Sequence, residues 1–245
     1  MMEEIPETEA TGALARCYAD IRDRLGVPVV NLIWRHLAAI GVIDACWERV
    51  RDDIEAIERH GAALNALARD MIATLPPPAT LPWTSPGPQI LVSYERGNSL
   101  NLATARRLLG CPPPGTGGAL PRARGHLPPV PRHADLPPAS RAAIERLAAA
   151  GPGADTGIRP TLWIHLACLP NLLEAIAAEI PDVLAVERFH AEHARLTALP
   201  AGGGTTGLNE TATLALQRFN RRIGEMLLIG LYLGRSCPDC LETDP

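Results

Sequence analysis

Aromatic side chains are scarce in this chain, at 4% of 245 residues, so each tryptophan, tyrosine and phenylalanine serves as a landmark. A large excess of charge of one sign is missing too. Lys+Arg number 23 against 27 Asp+Glu, for a net charge of -4. That balance leaves no electrostatic footprint for nucleic acid, and no basic run is long enough to seek an anionic membrane. Long apolar runs are also lacking. The longest near the C-terminus, Met226 to Leu233 with Gly230 inside it, is too short to span a bilayer. The first ten residues, MMEEIPETEA, carry neither the basic nor the apolar region of a secretory signal, so the expected location is the cytoplasm. Strand-type alternation and β-branched runs are sparse. Alanine, leucine and arginine dominate instead, which favours an all-α fold. Cys17, Cys46, Cys111 and Cys168 are dispersed, and only Cys237 and Cys240 lie close together. Without an export signal, most cysteines are expected to be small core residues rather than disulfide partners.

What is present is helical periodicity with punctuation. Thr11 is placed to cap a helix from Gly12 to Leu25, whose Leu14, Cys17, Tyr18, Ile21 and Leu25 follow the helical period. Further helices are expected over about 31–39, 42–60, 62–75 and 90–109. Residues 111–138 change character: proline and glycine forbid a continuous helix there, and the segment reads as a linker. Helical patterns return over about 139–150, 160–168, 171–180, 181–199 and 211–234. The expected organisation is a first helical unit at 1–110, the linker at 111–138, a second unit at 139–236 and a tail at 237–245.

The two units echo each other. NLIWRHLAAI at 31–40 and TLWIHLACLP at 161–170 share tryptophan, histidine and Leu-Ala at matching offsets from Trp34 and Trp163. YERGN begins at Tyr94 and FNRRI at Phe219, each with an arginine two residues on, Arg96 and Arg221. The separations are 129 and 125 residues, in the same order, which points to an internal duplication. Two similar units sharing a core are expected to pack about a pseudo-twofold axis, with a site at their interface.

These segments together, from ATGALARCYADIRDRLGVPVVNLIWRHLA through YERGN to the second copy, resemble the group I 2-haloacid dehalogenases over essentially the whole chain. The resemblance implies an all-α pseudo-dimer with its site between the repeats. It also implies an aspartate at the start of the second repeat's tryptophan helix, which activates water for direct, inverting attack on the halogen-bearing carbon. A carboxylate one hydrogen bond from water suits that role, and a dry apolar pocket strengthens it. In this chain the corresponding position is Leu162, which accepts no proton. Asp155, seven residues upstream, is not a one-residue slip away. The expected substrate-binding residues are Leu32, Trp34, Asn98, Thr161, Leu162, Trp163 and Phe219, with no catalytic base identified and with core packing as the favoured alternative for the two tryptophans. The implied ligand is a small carboxylic acid, without metal or cofactor, and a homodimer is left open. The function is that of a dehalogenase-like protein, with a non-catalytic binder of a small acid or apolar ligand as the alternative.

Other groups compete for attention. His36 and His165 follow the two tryptophans and are expected as helix-surface or hydrogen-bonded interior histidines, with a pair facing across a pseudo-twofold axis as the weaker alternative. Glu187, His190 and His193 only partly share a helix face, which reads as a solvated helix more readily than as a metal site. Glu95, Arg96, Arg221 and Glu225 are expected in structural ion pairs, with carboxylate capture by the arginines as the alternative. Cys237 and Cys240 have C-x-x-C spacing, a possible thiol redox pair. They follow the C-terminal end of a helix, where the macrodipole disfavours a thiolate, and read more readily as an incidental exposed pair.

Overall fold

Residues 3–122, 127–200 and 207–237 are described by the computed structural model. Among them the regular structure is all helical. Five α-helices precede residue 111: α1 Gly12–Leu25, α2 Leu32–Ala39, α3 Ile43–Trp47, α4 Ile54–Ala73 and α5 Gly87–Leu108. Five follow: α6 Pro138–Ala149, α7 Thr161–Leu166, α8 Pro170–Leu184, α9 Glu187–Thr197 and α10 Glu210–Gly234. No described helix is long and apolar enough to cross a membrane.

The two longest helices, α5 and α10, lie against each other at the centre, and nearly every residue of α5 is buried. Helix α4 covers α5 and α9 covers α10. The short tryptophan helices cross over: α2 packs on α10 and α7 packs on α5. Each central helix is thereby packed by a short helix from the other part of the chain.

Several boundaries follow from local chemistry. Helix α1 stops at Gly26, whose φ of 58° is a left-handed conformation that glycine adopts without a Cβ penalty. Asn31 caps α2 by accepting a hydrogen bond from the Ile33 amide. Asn209 caps α10 in the same way through the Ala212 amide.

Two expected boundaries are corrected. The helix expected over 42–60 breaks after Trp47, and α4 then runs through Gly61 without stopping. The turn between α3 and α4 is held from α1: Trp47 Nε1 donates to Asp20 at 2.7 Å, and Arg24 donates to the Arg51 carbonyl at 2.9 Å. Gly61 is not a terminator. A Cβ there would stand 3.1 Å from the Ser99 carbonyl oxygen of α5, so the glycine permits close helix approach. Likewise α8 continues past Pro181 to Leu184, so it ends four residues later than expected.

The segment around the future site is pinned by the N-terminus. Glu7 accepts from the Val30 amide at 2.7 Å and pairs with Arg22 at 2.6 Å. The Ile5 amide donates to the Arg35 carbonyl, and Tyr18 donates its hydroxyl to the Ile5 carbonyl at 2.9 Å. These bonds fix residues 27–31 as one wall of a cleft.

Candidate functional site

The central helices do not close completely. A narrow cleft lies between them and is capped by the starts of α2 and α7. Five residues expected from the sequence line it: Leu32, Asn98, Thr161, Leu162 and Phe219. The tryptophans do not. Trp34 and Trp163 are fully buried in the core, a correction to their expected place in the lining. They differ in hydrogen bonding. Trp34 Nε1 donates to Asn101 Oδ1 at 2.8 Å, whereas Trp163 Nε1 is buried without a partner.

The lining has two unlike faces. From α5 come Tyr94 and Asn98, with Asn101 one turn further in an adjoining chamber. From α10 come Phe219, Ile223 and Met226. Both sets have the i, i+4, i+7 spacing that places side chains on one helix face. The α5 face is polar and the α10 face is apolar. Nowhere in the lining is there a carboxylate.

The polar face has unspent hydrogen-bonding capacity. The Tyr94 hydroxyl is buried and has no protein partner. Burial pushes the phenol well above its usual range, with the charge of Arg35 pulling weakly the other way, so it stands as a neutral donor. Arg35 was not among the expected site residues. It donates to Thr161 Oγ1 at 3.2 Å and pairs with Glu4 at 3.1 Å, linking α2 to α7 across the cleft rim. Tyr94 too was seen only as a repeat marker. Its place at the head of an i, i+4, i+7 polar stripe was the signal that would have found it.

Arg222 also lines the cleft but is fully engaged. It donates to Glu225 at 2.5 Å, to the Ile158 carbonyl at 3.1 Å and to the Ala148 carbonyl at 2.8 Å. Glu225 in turn accepts from the Gly153 amide. Burial raises the Glu225 carboxyl while Arg222 opposes the shift. The other charged groups singled out in the sequence are structural as well. Arg96 pairs with Glu58 at 2.6 Å and caps α1 through the Leu25 and Gly26 carbonyls. Arg221 grips Asp155 through both carboxylate oxygens, at 2.8 and 3.0 Å. Glu95 pairs with Arg69 at 2.5 Å.

The two histidines do not meet. His36 stacks on Phe219 with ring centres 5.7 Å apart, and His165 stacks edge-on against Tyr94 at 5.7 Å. Each histidine of a tryptophan helix thus touches the marker aromatic of the other part of the chain. His165 bonds through Nε2 to the Pro128 carbonyl at 2.8 Å, and burial lowers its pKa against that bond. The α9 helix is not simply solvated. His190 is exposed, but His193 is buried and bonds to the Arg221 carbonyl at 2.8 Å. Among the described residues no cluster of three His, Cys, Asp or Glu side chains is placed to hold a metal ion. Cys237 is buried rather than exposed, and Cys240 lies outside the described residues.

This arrangement has solved counterparts. Superposition on a D-2-haloacid dehalogenase mutant in complex with D-2-CPA gives a TM-score of 0.71 at 15% identity, covering 98% of this chain and 96% of that one. A second D-2-haloacid dehalogenase mutant gives 0.70 at 17% identity, with the same coverage. A D-2-haloacid dehalogenase in complex with L-LA gives 0.68 at 14% identity, covering 96% of each chain. The chain has the fold of these dehalogenases. No protein-family model matches it, and no curated protein matches its sequence significantly. With the shared fold over nearly the full length, the comparison extends to architecture, and the chemistry rests on the side chains in the cleft.

Proposed function

We propose that this chain binds a small carboxylic acid in the cleft between α5 and α10 and does not activate water there. The observation that carries the reading is the lining itself: a polar stripe facing an apolar stripe, with no carboxylate among them. A neutral tyrosine hydroxyl and an asparagine amide are suitable donors to a carboxylate, and the apolar face accommodates the rest of a small acid. The solved structures of this fold hold 2-chloropropionate and lactate, both small carboxylic acids, which agrees with the ligand class.

Water activation requires a base within one hydrogen bond of the attacking water. Leu162 lines the cleft where the dehalogenase resemblance would put an aspartate, and a leucine has no such capacity. The carboxylates on neighbouring elements, Asp155 and Glu225, are bound to Arg221 and Arg222. We infer as well that the two parts of the chain descend from one duplicated unit. The matching offsets, the five-and-five order of helices and the crossed histidine–aromatic contacts support this.

The test is chloride release from D- and L-2-chloropropionate by the natural protein and by Leu162→Asp. Saturable binding without chloride release supports the proposal. Release that appears only in Leu162→Asp supports it further, as a pocket complete except for its base. Release by the natural protein overturns it.

A further inference from the structure

Thr161 uses its hydroxyl differently from threonines further along helices. Thr104 and Thr197 donate their protons to the carbonyls four residues back, at 2.8 Å each. Thr161 is the first residue of α7, so no helical turn precedes it and that bond is closed to it. Its Oγ1 instead accepts from Arg35 Nη2 at 3.2 Å. Among the described residues no acceptor holds the Thr161 proton. The residue lines the cleft and the small chamber beside it, and it shares both with Tyr94.

Arg35 is the cation behind that hydroxyl, although it lines neither space itself. Its Nη1 pairs with Glu4 at 3.1 Å, and its Nε is buried without a partner. The pair is lopsided. The Glu4 side chain is 35% exposed against 17% for Arg35. Water screens the carboxylate more than the guanidinium, so the field left on the cleft side is positive. The same charge reaches the Tyr94 hydroxyl, where it opposes the effect of burial. Arg222 makes the contrast. It lines the cleft, but its charge is met by Glu225 with both groups buried.

Resting on the small-acid reading above, we propose that Arg35 is a positioning residue that makes the cleft select an anionic head over a neutral one of the same shape. It acts through Thr161. By taking a lone pair of Oγ1, the guanidinium leaves the hydroxyl proton for an acceptor in the cleft and strengthens it as a donor. Thr161 and Tyr94 then offer two donors in a net positive field. A carboxylate gains from the donors and the field, whereas a primary amide gains from the donors alone.

Calorimetric titration of the full chain with 2-chloropropionate and 2-chloropropionamide tests this. The natural protein should prefer the acid. Arg35→Met should lower the acid-to-amide affinity ratio about tenfold, the weight of one hydrogen bond to a charged group. General loosening of the cleft would weaken both ligands alike and leave the ratio unmoved. Thr161→Val should lower the ratio too, and the double variant should lose little more, because both changes remove one interaction. Glu4→Gln, which frees Arg35 from its carboxylate, should raise the ratio, and it serves where Arg35→Met does not fold. An unchanged ratio in folded Arg35→Met, or a ratio that fails to rise in Glu4→Gln, would overturn the role of Arg35 and leave the small-acid reading intact. Additive losses in the double variant would overturn the route through Thr161. Failure of the acid to bind the natural protein would remove the small-acid reading itself, and the role of Arg35 with it.

Discussion

The surfaces that α5 and α10 turn toward the cleft differ at three matching positions. Tyr94, Asn98 and Asn101 on α5 stand opposite in kind to Phe219, Ile223 and Met226 on α10, at the same spacing along each helix. Tyr94 and Asn98 are the hydrogen-bonding groups of the first face, Asn101 being engaged by Trp34 and the Gly97 carbonyl, and the other face is hydrocarbon. On the proposed function, the two faces together suit an amphipathic ligand better than either would alone. The same asymmetry reaches the core. Trp34 has Asn101 as its acceptor, and Trp163 has none. The position 125 residues after Asn101 is Met226, whose thioether is at best a weak acceptor.

The ion pairs sharpen the contrast most. Arg222 and Glu225 are both fully buried, so Arg222→Met leaves a carboxylate without compensation and should cost about 3–5 kcal/mol in denaturant unfolding. Arg221→Met removes an exposed pair with Asp155 and should cost less than about 1 kcal/mol. Equal losses would show that burial does not distinguish the two.

The buried histidines differ next. His60 on α4 is buried with Nε2 unpartnered, and burial with Arg106 and Arg107 nearby lowers its pKa to about 4. His193 on α9 is lowered by burial too, but its bond to the Arg221 carbonyl opposes the shift. A depressed histidine pKa contributes stability that is present above the unfolded value near 6.5 and lost as pH falls toward 4. For His60 this loss is up to roughly 3 kcal/mol. His60→Gln should flatten the fall in melting temperature between pH 6.5 and 4, and His193→Gln should flatten it less.

The tryptophans give a smaller effect. Trp34→Phe strands Asn101 Oδ1 and should cost about 1–2 kcal/mol beyond the shared loss of ring size. Trp163→Phe removes a buried N–H that has no partner, so that extra cost is absent. Smallest of all, Gly97→Ala should stabilise the chain by up to about 1 kcal/mol in thermal unfolding, because open space receives the methyl group.

These contrasts show what the sequence made legible. Periodicity placed α1, α5 and α10 within a few residues, since each has a long apolar face and a clear stop. It misread Gly61 and Pro181 as helix ends, because tertiary contact with α5 and one tolerated missing N–H are not local properties. Resemblance brought Leu32, Asn98, Thr161, Leu162 and Phe219 to the cleft. It placed the tryptophans there too, although they are large enough to fill the core behind it. Tyr94 and Arg35 were passed over because their importance comes from what they face across the fold: an unfilled cleft for one and α7 for the other.

The central claim is that the polar stripe of α5 holds a carboxylate. The direct measurement is calorimetric titration of 2-chloropropionate into the natural protein and into Tyr94→Phe/Asn98→Ile, which gives α5 the residues that α10 carries at those positions. The account predicts saturable binding by the natural protein and a loss of at least tenfold in the double variant, with the fold retained by circular dichroism. Equal affinity in the two proteins would contradict it.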